Sequence, residues 1–248
     1  GITVLSLLRI LVGTFFLLNS TVISAEDSAK LESIYANSHK RPPNVILILF
    51  DWARRDAIGV YSDKDVSTPN IDSLANGGVR FDNAYTTAAL CSPARASLLT
   101  GTYPHAHGIR KTMYPAGING GLPTMYREAI ANPFDDERFN LAINFPKYLT
   151  NSGFATAHIG KWHLGTGNPG FFDVFKSYNS LMPHWLNEPG QSAYREDIQT
   201  SEGIRFIQQN ADRPFFLYQS FYTPHAPYQP PQKYVDIYAG RTIDHKSS

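Results

Sequence analysis

Asn44-Val-Ile-Leu-Ile-Leu-Phe-Asp51 is a run of six apolar residues between an asparagine and an aspartate. An uninterrupted apolar run of this length is typical of a parallel β-strand that is buried on both faces. Similar strand-like segments occupy residues 155–159 and 214–221, and segments with helical character lie between them. This alternation predicts an α/β fold with a mostly parallel central sheet and helices on both faces.

Capping residues and helix breakers delimit the remaining elements. Helices are predicted over residues 69–76, 94–100, 145–152 and 200–210, and a short strand over residues 79–81. Residues 113–140 and 171–195 are predicted to be irregular, the first of them as a long excursion over the surface. Because loops of such length are often functional, we expect both segments to shape the substrate pocket.

Chemically capable side chains follow the predicted strands. Asp51 ends the first strand, Lys161 and His163 come just after the second, and His225 follows the last. Ligands of open α/β sheets bind beyond the carboxyl ends of the strands. The fold therefore offers a way to bring these residues, together with Cys91 at a predicted helix start, to one edge.

Cys91 is the single cysteine of the chain, so an intrachain disulfide is excluded. It lies at a helix N-terminus, which favours anions, and Arg95 follows one helical turn later with a fork of donors for sulfate or phosphate oxygens. The local pattern indicates an activated thiol in an anion-binding pocket. A buried structural cysteine with Arg95 as a surface charge explains the same pattern equally well.

The first 25 residues are typical of a secretory leader, with Arg9 before the apolar run Ile10–Leu18 and small residues at Ser24-Ala25. A membrane span needs ~20 apolar residues, so we expect a signal peptide over residues 1–25 and leave an N-terminal membrane anchor as the alternative. Residues 26–43 are predicted to be a linker and residues 44–248 one domain. We therefore expect an exported protein, periplasmic or secreted. With a net charge of +1 the chain lacks the basic field that nucleic-acid binding requires.

Cys91-Ser-Pro-Ala-Arg-Ala-Ser-Leu-Leu-Thr-Gly101 resembles the signature of the formylglycine-dependent sulfatases of the alkaline phosphatase superfamily. Residues 44–51 resemble the first strand and metal-binding aspartate of that family. Further blocks occur in the order of the family: Thr68-Pro-Asn-Ile-Asp-Ser-Leu-Ala75, Gly78-Val-Arg-Phe81, Asn83-Ala-Tyr85, Tyr103-Pro-His105, Gly160-Lys-Trp-His-Leu-Gly165 and Pro224-His225. The resemblance covers residues 44–232 and identifies residues 44–248 as the N-terminal portion of a sulfatase catalytic domain.

The resemblance implies a hydrolase that cleaves sulfate esters, such as those of sulfated carbohydrates. In the family, a formylglycine-generating maturation enzyme oxidises the cysteine to Cα-formylglycine, and the aldehyde is hydrated to a gem-diol. One hydroxyl attacks sulfur, and the second then expels sulfate from the covalent ester. A divalent cation, usually Ca²⁺ in the family, polarises the sulfate.

The resemblance also implies a role for each matching residue. Asp51 and the modified residue 91 would bind the metal, and Arg95 would hold the modified side chain. Lys161 would bind sulfate oxygens, His163 would contact the gem-diol and help to expel sulfate, and His225 would donate a proton to the leaving group. As alternatives, Asp51 could cap a turn, Lys161 and His163 could be surface groups, and His225 could be a structural turn residue.

Two departures from the family pattern keep other functions open. Trp52 stands where many sulfatases have a second aspartate, and Asp51-Trp-Ala-Arg-Arg-Asp56 resembles a variant shared with phosphonate and phosphate ester hydrolases. No later Asp-Asn or Asp-His metal pair with a further lysine is identified, since Asp244-His245 comes too soon after Pro224-His225 and lacks a strand before it. We therefore expect a fragment that by itself binds metal poorly and is inactive. A phosphonate or phosphodiester hydrolase, a catalytically dead binding protein and, more remotely, a thiol protease are the alternatives.

Two other groups of polar residues attract attention by their spacing. His105 and His107 have the spacing of a metal-binding pair, but their place after the helix favours a structural role. Asp135-Asp136-Glu137 is interpreted as a solvated charge run.

Overall fold

The computed structural model describes residues 42–62, 66–114, 127–129, 132–165, 167–178, 183–188 and 191–241. The leader predicted over residues 1–25, and all but the last two residues of the predicted linker, lie outside the described residues. Nearly all described residues belong to one compact unit that begins at Asn44. In that part of the chain no helix combines the length and apolar character needed to cross a membrane.

The central sheet has four strands, and every neighbouring pair in it is parallel. Its strands, in spatial order, are β1 (Val45–Asp51), β8 (Phe215–Pro224), β4 (Ala155–Gly160) and β5 (Val174–Ser177). Two small sheets accompany it, each formed by one strand pair: parallel β2 (Thr112–Tyr114) with β3 (Arg127–Ala129), and antiparallel β6 (Trp185–Glu188) with β7 (Gln191–Tyr194).

Six α-helices connect these strands within the described residues. They are α1 (Pro69–Asn76), α2 (Cys91–Thr100), α3 (Pro104–His107), α4 (Phe145–Asn151), α5 (Arg195–Gln209) and α6 (Gln232–Asp236). Short 3-10 turns cover Arg55–Ala57, Gly59–Tyr61 and Pro133–Asp135.

Strand β8 is the centre of the fold because its alternate residues enter two different hydrophobic cores. Phe216 and Tyr218 pack in one core together with Leu99 of α2. Leu217 points the other way and packs with Phe206 of α5. Since side chains alternate between the faces of a strand, helices cover both faces of β8. The predicted α/β fold, with a mostly parallel sheet and helices on both faces, is confirmed.

The prediction that the first strand is buried on both faces is wrong. Leu47 and Leu49 pack against the core that contains α2, but Ile46 and Ile48 are each 47% exposed. The reason is the position of β1, which in the described sheet is an edge strand paired only with β8. No described element covers its second face, so an apolar run by itself does not establish burial on both sides.

Several element boundaries differ from the predictions. Residues 79–81 form no strand, and residues 171–195, predicted to be irregular, contain β5, β6 and β7. Phe171 and Phe172 are buried in the main core, so that segment starts as core and not as a surface loop. The excursion predicted over residues 113–140 begins in β2, and Met113 is also buried in that core.

Two helices begin earlier than predicted. Helix α2 starts at Cys91 and not at residue 94, since the first helical turn needs no backbone N–H bonds and therefore accepts Pro93. Helix α5 starts at Arg195 and not at residue 200, with Glu196 and Asp197 in a first turn that favours negative charge.

Gly160 is required where β4 passes closest to β8. Its φ is +114°, and a Cβ at this position would lie 1.9 Å from the carbonyl oxygen of Ser220. Directly afterwards the Lys161 N–H donates to that same carbonyl oxygen at 2.8 Å. The glycine therefore allows the two strand ends to meet and fixes where Lys161 leaves the sheet.

We expect Gly160→Ala to lower the free energy of unfolding by at least ~3 kcal/mol, because backbone strain of ~1–3 kcal/mol adds to the clash with Ser220. Gly153→Ala is the matched control, since Gly153 also has a positive φ but nothing lies within 4 Å of its added Cβ. Urea unfolding of both variants measures the difference. Equal losses for the two variants would contradict the close approach.

His158 is buried at the centre of an aromatic cluster. Its ring centroid lies 4.9 Å from that of Trp162, 5.0 Å from that of Tyr218 and 5.2 Å from that of Phe175. Burial, reinforced by the charge of Arg95, lowers the pKa of His158 from 6.5 to about 3. The imidazole is therefore neutral in the folded protein at any ordinary pH.

His158 should make the fold sensitive to acid. Between pH 6.5 and about 3 the unfolded chain binds a proton at this residue and the folded chain does not. The free energy of unfolding must then fall as the pH drops below 6.5, by about 1.4 kcal/mol per pH unit at most. We expect His158→Phe to make this decline shallower by about 1 kcal/mol per pH unit. Urea titrations at pH 7, 6 and 5 test it, with exposed His105→Phe as the control that should leave the slope unchanged.

Candidate active site

The ends of three elements meet at the carboxyl edge of the central sheet. Asp51 is the last residue of β1, Cys91 is the first residue of α2, and Lys161 directly follows β4. The pairing of β1 with β8 shifts register between Phe50 and Asp51. Such an irregularity bends a strand and re-aims its side chains, and here it lies at the residue that enters the site.

Cys91, Asp51 and Lys161 form one contact group. The Sγ atom of Cys91 lies 3.7 Å from Asp51 Oδ1 and 3.7 Å from Lys161 Nζ. Lys161 Nζ also donates to Asp51 Oδ2 in a buried ion pair. Three residues separated by up to 110 positions in the sequence therefore meet around one point.

Arg95 is buried beside this group and organises the strand ends around it. Its Nη1 atom donates to the carbonyl oxygen of Lys161 at 2.6 Å and to Ser220 Oγ at 2.8 Å. Its Nη2 atom has no hydrogen-bond partner among the described residues and lies 3.9 Å from Asp51 Oδ1. The Nη1 atom of Arg95 thus links the ends of β4 and β8, and its Nη2 atom points toward Asp51.

The charges of this group do not balance. Lys161 and Arg95 are almost fully buried and carry two positive charges, against the single negative charge of Asp51. Burial lowers the pKa of Lys161, and the charge of Asp51 opposes that shift. Because buried charge is costly unless it is compensated, the group favours an anion next to Cys91.

Burial raises the pKa of the Cys91 thiol, against the opposing effect of Lys161. The thiol is therefore protonated at neutral pH, which contradicts the activated thiol expected from the local pattern. In the part of the chain that the structure describes, the Cys91 Sγ atom contacts the side chains of Asp51 and Lys161. A cysteine protease needs a thiolate as its nucleophile, and the raised pKa of Cys91 speaks against that alternative.

His163 is placed by an unusual backbone conformation. Its φ is +60°, and its carbonyl oxygen accepts a 2.7 Å hydrogen bond from Ser92 Oγ. The N–H of Met113 donates to the same Ser92 oxygen, so Ser92 ties α2 both to strand β2 and to the loop after β4. Burial, together with the charges of Lys161, Arg95 and His225, holds the pKa of His163 well below its ordinary value. The ring is therefore neutral at ordinary pH.

His225 lies at the rim of the site, just beyond β8. Its ring stacks on Trp52 with centroids 4.3 Å apart and lies 4.6 Å from the ring of Tyr222. Nδ1 is 2.7 Å from the carbonyl oxygen of Ala226. Since a carbonyl only accepts, Nδ1 carries the proton and Nε2 is the nitrogen left to face a ligand.

Several contributors were not identified from the sequence. Ser220 and Tyr218 contact Arg95, and the ring of Tyr222 lies 4.8 Å from Lys161 Nζ and 4.8 Å from the Arg195 guanidinium. The alternation of a strand could have identified Tyr218, Ser220 and Tyr222. These residues are two apart on the predicted last strand, and such residues share a face.

Asp51 and residue 91 offer part of a divalent cation site. Asp51 Oδ1 and residue 91 are close enough for one cation to contact both, and a carboxylate is a suitable ligand. Trp52 supplies no ligand atom. Where the chain is described, no three His, Cys, Asp or Glu residues come together as a possible metal site. Asp51 and an oxygen at residue 91 therefore fit as part of a site, short of the six to eight oxygens of Ca²⁺.

The other polar groups lie apart from this chemistry. His107 is buried, and its ring nitrogens interact with Ser97 Oγ at 3.0 Å and with the N–H of Ile109 at 3.1 Å, as expected for a structural residue. His105 is exposed and stacks on Tyr103. Asp136 pairs with neighbouring Arg138 at the surface, in agreement with a solvated charge run.

We expect Arg95→Lys to lower the free energy of unfolding by about 2 kcal/mol, because a lysine cannot replace the fork that joins the Lys161 carbonyl to Ser220. Exposed Arg80→Lys is the control and should stay within ~0.5 kcal/mol of the parent. Urea unfolding measures both. A loss at Arg95 no larger than at Arg80 would show that the fork is dispensable.

Comparison with known proteins gives one consistent family. The family model described as Sulfatase matches residues 43–247. The uncharacterized sulfatase YidJ of Escherichia coli (strain K12) is 32% identical over 229 residues, which cover 79% of this chain and 41% of that protein. The N-acetylglucosamine-6-O-sulfatase of Bacteroides thetaiotaomicron is 30% identical over 206 residues, with 79% and 33% covered.

A solved structure agrees with these relatives. The structure of BT4656 in complex with its substrate D-glucosamine-2-N,6-O-disulfate superimposes with a TM-score of 0.61 at 29% identity. The match covers 80% of this chain and 38% of that one. The chain therefore spans less than half the length of each of these proteins.

Proposed function

Because this chain belongs to the sulfatase family, we propose that its protein hydrolyses sulfate esters of carbohydrates with a formylglycine made from Cys91. The observation that carries the proposal is the meeting of Cys91 with Asp51, Lys161 and Arg95. Two buried cations and one carboxylate surround the side chain at residue 91. A sulfate monoester is a monoanion, and its charge compensates the excess positive charge of this group.

The state of the thiol supports modification. A cysteine whose pKa is raised by burial is a poor nucleophile at neutral pH. Oxidation to formylglycine by a maturation enzyme supplies a hydrated aldehyde. One of its hydroxyls would attack sulfur while the S–O bond to the alcohol breaks and the alcohol leaves as a protonated group. The second hydroxyl would then lose its proton, so that the carbonyl re-forms and the sulfate bound to the same carbon leaves. Cys91 is the first residue of α2, where free backbone N–H groups favour developing negative charge.

The surrounding residues have separate roles in this proposal. Lys161 Nζ is 3.7 Å from the Cys91 side chain and orients the sulfate oxygens. Arg95 directs Nη2 toward Asp51, which contacts residue 91, and would hold the modified side chain through its charge. His163, two residues after Lys161, would contact the gem-diol at residue 91 and help to expel sulfate. His225, with its proton on Nδ1, presents Nε2 and must be doubly protonated to give a proton to the leaving alcohol.

A divalent cation completes the proposed site. Asp51 and an oxygen of the modified residue 91 would hold it, and the cation would polarise the sulfate and lower the pKa of the attacking hydroxyl. Hard oxygen ligands suit Ca²⁺, which we propose as the metal. Its remaining ligands would have to come from residues other than those that the structure describes.

The substrate class follows from the relatives. The B. thetaiotaomicron relative is named for an amino-sugar sulfate, and BT4656 was solved with a glucosamine disulfate. We therefore propose a sulfated saccharide as substrate. The leader predicted over residues 1–25 leads us to propose an exported protein, periplasmic or secreted, which would meet such saccharides outside the cytoplasm.

Intact-mass analysis of the peptide that carries Cys91 tests the nucleophile. In protein purified from its native host, we expect this peptide to be ~18 Da lighter than the thiol form, as conversion to the aldehyde requires. The same chain produced without a maturation enzyme is the control and should keep the thiol mass. An unmodified thiol in the native protein would instead favour the catalytically dead binding protein.

Rates on paired substrates test the reaction. We expect the native protein to hydrolyse an aryl sulfate faster than the matching aryl phosphonate monoester, and Cys91→Ala to lose at least ~1,000-fold in kcat. A preference for the phosphonate would reassign the site to the phosphonate hydrolases. Full activity of Cys91→Ala would remove residue 91 from the mechanism.

A further inference from the structure

We propose that Trp52 is the binding platform for a pyranose ring of the sulfated substrate. The proposal rests on the proposed function, because it assigns a ligand to the same site. It gives a role to the residue that stands where a second metal-binding aspartate was expected from the resemblance.

The position of Trp52 places its ring next to the reacting atoms. Trp52 directly follows Asp51 at the end of β1, and its indole stacks on His225 with an interplanar angle of 30°. His225 is the proposed neighbour of the leaving-group oxygen. A sugar whose ester oxygen lies near His225 therefore has its ring beside the indole.

Much of the Trp52 surface is exposed among the described residues. Its ring is stacked on His225 on one side, yet Trp52 as a whole is 61% exposed. Apolar surface at the rim of a charged site is typical of ligand recognition. The C–H bonds on one face of a pyranose form an apolar, weakly positive surface, which complements the negative face of an aromatic ring.

The backbone holds this ring at a cost. Trp52 has a φ of +65°, and in the described parts of the chain His163 is the one other non-glycine residue with a positive φ. A bulky side chain is disfavoured in this region, and such conformations gather at ligand sites. Both strained residues lie at the same site, one beside His225 and the other two residues after Lys161.

Two further aromatic residues lie near the ends of the same two strands. Phe50 of β1 stacks on Phe221 of β8 with centroids 5.4 Å apart. Both rings line a cavity of about 330 Å³ that Thr223 and Tyr234 also border. Trp52 is not among the residues that line this cavity, so the platform is proposed for the indole surface alone.

Binding of saccharide sulfates and of inorganic sulfate to two substituted chains tests the proposal. Trp52→Asn removes the ring, and asparagine tolerates a positive φ, so the variant should fold at least as well as the parent. Trp52→Tyr keeps an aromatic face and is the matched control. The probes are the 6-sulfates of glucose, galactose, N-acetylglucosamine and N-acetylgalactosamine, with affinity measured by calorimetry.

We expect Trp52→Asn to weaken the best saccharide sulfate by about 10-fold and Trp52→Tyr by less than about 3-fold, while inorganic sulfate binds all three proteins equally. Unchanged saccharide affinity in Trp52→Asn would overturn the platform and leave the proposed function standing. Inorganic sulfate and saccharide sulfates binding the parent equally would do the same. If the parent binds neither kind of probe, the result contradicts the proposed anion site and, with it, the role proposed for Trp52.

Discussion

The carboxylate of Asp51, placed between two buried cations, is the constraint on which the rest of the site depends. Lys161 pairs with it directly, Arg95 lies 3.9 Å away, and Cys91 is in contact with it. Without Asp51, two positive charges would be buried with no compensation, a costly arrangement. The strand ends are arranged to support this group: Gly160 lets β4 approach β8, and Arg95 joins the Lys161 carbonyl to Ser220.

Burial then sets the protonation state of each group around Asp51. It raises the pKa of Cys91 and lowers the pKa values of Lys161 and His163. The site therefore has a protonated thiol and a neutral imidazole beside fixed positive charge. Such a site binds anions, but its unmodified cysteine has little nucleophilic character. An oxygen nucleophile at residue 91 agrees with this environment better than a thiolate does.

The site has a charged interior and an aromatic rim. Lys161 and Arg95 are deep in the protein, whereas Trp52 and His225 stack on each other where the strands end. A sulfated saccharide has the same division, with a compact anionic group on a larger ring that has apolar faces. The charged interior recognises what all sulfate esters share, and the rim offers contacts that distinguish one alcohol from another. Trp52 therefore belongs to the part of the site in which specificity is expected to vary.

The sequence by itself determined the fold class, the positions of β1, β4 and β8 along the chain, and Asp51, Arg95 and Lys161 as neighbours of Cys91. Apolar periodicity and the ordered motifs are local properties of the chain, and the strands that they predict are present in the folded structure. The exposed face of β1, the early start of α5 and the buried Phe171 and Phe172 were not predictable in this way, because burial depends on which elements pack together. The raised pKa of Cys91 and the stacking of Trp52 on His225 were also decided only by tertiary structure. Desolvation and ring contacts arise between residues that are distant in sequence, and no local pattern encodes them.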